Sequence, residues 1–177
     1  MISLSRASIV AAPVDAVVNA ANESFRGGGG VDGVIHREAG PELLQECKQY
    51  PRLPTGNATL TKGYRLPARW IIHTVGPIWR AGASEPALLA QAYESVFRVA
   101  REHGDIRTIA FPAISTGAYG YPKREAAEIA VESMRRNEAD FDEIVVCLMD
   151  DENIAAYEHA LRDRPPAEKG FVQPNDR

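Results

Sequence analysis

The sequence is poor in cysteine, with only Cys47 and Cys147, far apart and in no Cys-x-x-Cys spacing. A disulfide framework and a structural zinc site are therefore not expected, and both thiols sit in apolar patterns that read as core fillers. No dense run of lysine or arginine precedes the pair Arg135–Arg136, which reads as a solvated helix face, and the net charge is −4. A broad electrostatic grip on nucleic acid is excluded on that balance. No apolar run reaches the length of a membrane span, and the start "MISLSRASIVAAPVDAVV" lacks the charged head and continuous apolar stretch of a secretion signal. A cytoplasmic location, with no membrane partner, is the expectation. His36, His73, His103 and His159 show no close ligand spacing, so no metal is assigned. A lysine-bearing phosphate loop of the form GxxxxGK[ST] is absent too.

What is present is an ordinary globular composition, 45% hydrophobic and 25% charged over 177 residues. One domain over 1–164, followed by a flexible proline-rich tail at 165–177, is expected. Short apolar runs at Val14–Val18, Trp70–Val75, Ile106–Phe111 and Ile144–Met149 read as buried strands, with Ser3–Val10 and Ala58–Lys62 as weaker candidates. Helical patterns lie between them at Glu42–Tyr50, Glu85–His103, Pro122–Arg136 and Asp150–Arg162. Strands alternating with helices argue for an α/β protein with helices on both faces of the sheet.

Two loops carry the chemistry. The first follows the strand at Val14–Val18 and reads "NAANESFRGGGGVDG". Gly28–Gly33 formally satisfies GxGxxG, but the intervening "NAANESFR" and the missing acid near Leu53 rule out a dinucleotide fingerprint. The run instead suits close approach of backbone to a ligand, with Asn19 and Asn22 at the strand end and a helix start that favours anions. Asp32 there offers an acceptor-only carboxylate, for sugar hydroxyls or for a water. The alternative is that the asparagines shape a turn and Asp32 caps a helix. The second loop, "AFPAISTGAYGYP" at 110–122, supplies Ser115, Thr116, Gly117 and Gly120. Such a loop can cradle phosphate through backbone N–H groups alone. Tyr119 and Tyr121 either cover a sugar or belong to the core. Together the loops describe a cleft for a phosphorylated nucleotide or nucleotide sugar.

The stretches "VVNAAN…GGGGVDGVIHREAGPELLQEC", "PTGNATLTKGYRLPARWIIHTVGPIWR" and "FPAISTGAYGYPKREAAEIAV" resemble the macrodomain family, in its MacroD-type branch. The resemblance implies a three-layer α/β/α domain around a mixed sheet, with a cleft for ADP-ribose. It implies hydrolysis of the ester at the distal ribose, in O-acetyl-ADP-ribose and in proteins mono-ADP-ribosylated on Asp or Glu, with no metal and no cofactor. Nucleic acid enters only as an ADP-ribosylated substrate. Carried over by position, Asn22 holds the distal ribose and Asp32 orients or activates the attacking water. Gly30 and Val31 bring backbone donors, while Ser115, Thr116, Gly117, Ala118 and Tyr119 wrap the diphosphate. A non-catalytic ADP-ribose reader is the other reading.

The chain departs from the family on the adenine side. Where the family has "GDIT" on its first strand, this sequence has "ASIV", so Ser8 stands where an aspartate would accept from the adenine amino group, and Ile9 remains for apolar contact. Met149 occupies the place of an aromatic residue that packs on the base. A weakened grip on the base, with the hydrolytic end intact, is the expectation.

Overall fold

The computed structural model describes residues 1–165; the predicted tail at 165–177 falls outside them, except for its first residue. In chain order the elements are β1 (Ile2–Ser5), β2 (Ala16–Ala20), α1 (Gly30–Ala39), α2 (Pro41–Cys47), β3 (Ala58–Lys62), β4 (Trp70–Thr74), α3 (Glu85–His103), β5 (Thr108–Phe111), α4 (Lys123–Asn137), β6 (Glu143–Cys147) and α5 (Asp151–Asp163). The six strands form one sheet in the order β1-β6-β5-β2-β4-β3. Every neighbouring pair is parallel except β3 with β4, so the sheet is mixed.

The alternation of side chains along each strand feeds two separate cores. Ala16, Val18, Ile72, Ile109, Phe111, Ile144 and Val146 pack with Leu89, Tyr93 and Phe97 of α3 and with buried residues of α4 and α5. Their neighbours Val17, Ile71, Ala110 and Cys147 face the other way, onto Ile35 and Ala39 of α1 and Leu43 and Cys47 of α2. Burial on both faces is why these strands read as continuous apolar runs instead of alternating ones. The three layers α/β/α follow.

Several boundaries differ from the sequence expectation. The first strand stops at Ser5, not at Val10. The Ala7 N–H donates to Ser5 Oγ at 3.1 Å, and Ile9–Ala11 forms a single 3-10 turn. The last strand ends at Cys147, so Met149 lies beyond it. Pro122 precedes α4 in extended backbone, and Asp150 precedes α5, accepting from the Asn153 N–H at 2.9 Å as a cap. Arg135 is not on a solvated face: its side chain is 17% exposed, pairs with Glu138 at 2.7 Å and donates to the Arg164 carbonyl at 2.8 Å.

The topology places a crevice. After β2 the chain travels to β3 and then β4 on one side, and after β5 it travels to β6 on the other. The direction of winding reverses between β2 and β5, which is where open α/β sheets hold ligands. The ladder there joins only Ala16 to Ile109 and Val17 to Ala110, leaving the carboxyl end of β2 unpaired on that side.

Phe111 ends β5, its ring packed onto α3 with its centroid 5.2 Å from that of Phe97 and 5.6 Å from that of Tyr93. Phe111→Ala is expected to cost about 3–5 kcal/mol of unfolding free energy in urea titration.

Candidate active site

A cleft of about 730 Å³ opens at the carboxyl ends of β2, β5 and β6. Its walls include Ser8 and Ile9, Asn22, Gly30 through Asp32, Ser115 through Tyr119, and Met149, so the structure brings together the residues to which the family resemblance gave roles. Both glycine loops reach it. Tyr121 does not: it is buried against Trp79, with ring centroids 4.7 Å apart, and belongs to the core.

One side of the cleft is the start of α1. Asp32 is almost wholly buried; Asn19 Nδ2 donates to its Oδ1 at 2.8 Å, and His36 Nε2 lies 3.5 Å from the same oxygen. Asn22 Nδ2 donates to the Gly27 carbonyl at 3.1 Å, while Ser24 Oγ donates to Asn22 Oδ1 at 2.5 Å. The two groups converge over Gly28. A Cβ there would lie 3.0 Å from Asn22 Nδ2 and 3.1 Å from Asp32 Oδ2, so any side chain would press on both. Burial pushes the Asp32 carboxyl above its ordinary value, against the Asn19 hydrogen bond and the nearby His36, which pull it down.

The opposite wall is the β5–α4 loop. Tyr121 N–H donates to the Ser115 carbonyl and Gly120 N–H to the Gly117 carbonyl, both at 2.9 Å, which closes the loop into a compact turn. Among the described residues, the N–H groups of Thr116, Gly117, Ala118 and Tyr119 find no protein acceptor. Ser115 holds a φ of 67°, in the left-handed region. Gly76 after β4 permits this: a Cβ at that position would lie 2.1 Å from Ser115 Oγ. Tyr119 closes the cleft half-buried, and its carbonyl accepts from Trp79 N–H at 2.8 Å.

The electrostatics favour an anion held by neutral donors. Among the described residues Lys123 is the only lysine or arginine in the lining, and its Nζ is occupied by Asp150 at 3.1 Å and Glu152 at 2.7 Å. What remains is the amino end of α1 and the free N–H groups of the β5–α4 loop, which suit phosphate oxygens. Two buried polar atoms in the lining, Ser115 Oγ and Asn153 Oδ1, have no partner among the described residues. At the far end Ser8 makes no side-chain cap bond, Ile9 is buried, and Met149 is 75% exposed at the rim.

Sequence reasoning missed Asn153, Lys123 and Cys147 as cleft residues and gave His36 no role beside Asp32. The i,i+4 spacing of Asp32 and His36 on α1 was the available signal. His73 behaves as expected of a core histidine: it is fully buried, with Asn19 and Thr61 as partners. Among the described residues no cluster of side chains has the makeup of a metal site, and no helix is long and apolar enough to cross a membrane.

The macro domain family model matches residues 18–130, which contain both loops. The chain belongs to the macro domain family. It is 48% identical over 161 residues to the O-acetyl-ADP-ribose deacetylase of Citrobacter rodentium, covering 86% of this chain and 90% of that one. It is 45% identical over 166 residues to ADP-ribose glycohydrolase MACROD1 of Mus musculus, covering 90% of this chain and 51% of that protein. A solved structure of the Trypanosoma brucei macrodomain in complex with ADP-ribose superposes with a TM-score of 0.83 at 40% identity, over 90% of this chain and 68% of that one. The cleft of this macrodomain is therefore the place to look for its chemistry.

Because folding raises the pKa of Asp32, ionising that carboxyl costs the native state stability as the pH climbs through the raised value. Asp32→Asn is expected to melt at a higher temperature than the wild type at pH 7. The gap should narrow as the pH falls towards the ordinary aspartate value of about 4, because the wild-type carboxyl takes up its proton on the way; calorimetric scans across that range check it.

Proposed function

We propose that this macrodomain, acting through residues 1–164, hydrolyses the ester between an acyl group and the distal ribose of ADP-ribose. The substrates are O-acetyl-ADP-ribose and proteins mono-ADP-ribosylated on Asp or Glu. The observation that carries the reading is the convergence of Asp32 and Asn22 over Gly28, next to two sets of unengaged backbone donors. The names of the relatives support the same reaction class.

In this reading the diphosphate lies between the amino end of α1, at Gly30 and Val31, and the loop Ser115–Tyr119. Asn22 holds the distal ribose hydroxyls, and Tyr119 closes over that sugar. A water between the carboxylate and the substrate phosphate attacks the acyl carbon; the ribose oxygen leaves and takes a proton, giving a free acid and ADP-ribose. The carboxylate acts chiefly by orienting that water. No metal or cofactor takes part. The base lies towards Ser8, Ile9 and Met149, and the protein works in the cytoplasm.

Wild type and Asp32→Asn, incubated with a protein carrying ADP-ribose on glutamate, test this directly. The wild type is expected to release ADP-ribose, while Asp32→Asn binds ADP-ribose in calorimetry and loses turnover by about 100-fold or more. Binding without release by the wild type would instead make the domain a reader.

Ser8 gives a second test. An aspartate accepts only, so it selects an amino group, whereas a hydroxyl both donates and accepts. In competition between ADP-ribose and its inosine analogue, the wild type is expected to show a small preference for adenine. Ser8→Asp should widen that preference by about tenfold, one charge-assisted hydrogen bond in favour of the amino group. An equal preference in both proteins would show that Ser8 does not meet the base.

A further inference from the structure

Behind the cleft a line of buried polar side chains crosses the sheet on the face that carries α1. Thr61 on the edge strand β3 lies next to His73 on β4, with Thr61 Oγ1 and His73 Nε2 2.8 Å apart. His73 stands opposite Asn19 in the β2–β4 ladder, and its Nδ1 is 3.0 Å from Asn19 Nδ2. Asn19 Nδ2 in turn reaches Asp32 Oδ1 at 2.8 Å. Thr61, His73 and Asn19 are each at most 2% exposed.

We propose that Thr61 and His73 are positioning residues that lock the Asn19 amide with its NH2 group, not its carbonyl oxygen, towards Asp32. The inference rests on the reading of Asp32 as the carboxylate that orients the water.

The hydrogen count makes the case. A neutral imidazole carries one N–H, and burial, with His36 nearby, pushes His73 down to about 3, so the ring is neutral at working pH. Thr61 Oγ1 faces Nε2, and its own hydroxyl is directed to the Lys62 carbonyl at 3.3 Å. The ring proton therefore sits on Nε2 and is donated to Thr61. Nδ1 is left as an acceptor, and it takes one hydrogen of Asn19 Nδ2 while Asp32 takes the other. The arrangement leaves Asn19 Oδ1 buried without a partner among the described residues, a cost that a freely turning amide would not have to bear in this orientation.

Without the Thr61 hydroxyl, the buried Nε2–H has no acceptor and the ring proton moves to Nδ1. Asn19 must then turn its carbonyl oxygen to the ring, and that same oxygen faces Asp32. The carboxylate loses its donor and meets a second oxygen, so it takes up a proton. Other titratable groups near Asp32 are His36 on α1, Cys47 on α2, Tyr119 on the β5–α4 loop and His73 itself. Burial pushes Cys47 up to about 12 and also raises Tyr119, so both are neutral at working pH.

Thr61→Val and Thr61→Ser in the full chain decide the matter. Ring nitrogen shifts of His73 and His36 and the carboxyl carbon shift of Asp32 are followed by NMR through one pH titration, beside kcat and KM for ester hydrolysis. In Thr61→Val the His73 proton is expected on Nδ1. The Asp32 midpoint rises by about one pH unit, and the acid limb of kcat/KM moves with it. Thr61→Ser keeps all three at their wild-type positions. An unchanged tautomer and Asp32 midpoint in Thr61→Val overturns the proposal, and so does an equal change in Thr61→Ser. Wild-type turnover in Asp32→Asn would overturn the catalytic reading alone, because the NMR arm still decides the positioning.

Discussion

Holding an ionised carboxylate at the back of a mostly apolar cleft is the demand around which this macrodomain is arranged. Burial alone pushes the Asp32 carboxyl towards its neutral form, because the charged form is the one that loses most on leaving water. The opposing influences are few: one hydrogen bond from Asn19 and the neighbouring His36. Both come from elements whose positions the sheet and α1 fix. The parallel order of β2, β4 and β5 sets Asn19 at a strand end, and the turn into α1 sets Asp32 opposite it.

The rest of the cleft follows from the same economy of charge. Fixed cations would also favour an ionised carboxylate, but the described lining relies on oriented dipoles instead. The lining offers backbone N–H groups, and its single lysine is already neutralised by Asp150 and Glu152. Close approach of backbone at Gly28 and Gly76 shapes both walls.

The layers and the cleft were legible in the sequence because the physics there is local. Apolar runs buried on both faces, "NAAN" at a strand end, a proline just before α4 and paired glycine loops each announce themselves within a few residues. The strand ends were not. Ser3–Val10 carries an apolar pattern as far as Val10, yet the Ser5 side chain turns the chain at Ala7, and pattern alone does not register such a bond. Arg135 looked solvated because its acceptor at Arg164 comes from the far end of α5, beyond any local pattern, while Glu138 caps its own helix. Asn153 and the Thr61–His73–Asn19 line are likewise products of strand order and register, which no single stretch of sequence encodes.

The Thr61–His73–Asn19 line begins on β3, the antiparallel edge strand, paired on one side only among the described residues. Edges fray first, through opening events far smaller than global unfolding. The sharpness with which the carboxylate is aimed is thus tied to the docking of a peripheral strand that never touches the ligand cleft, and a molecule with its rim ajar keeps its pocket while losing its aim.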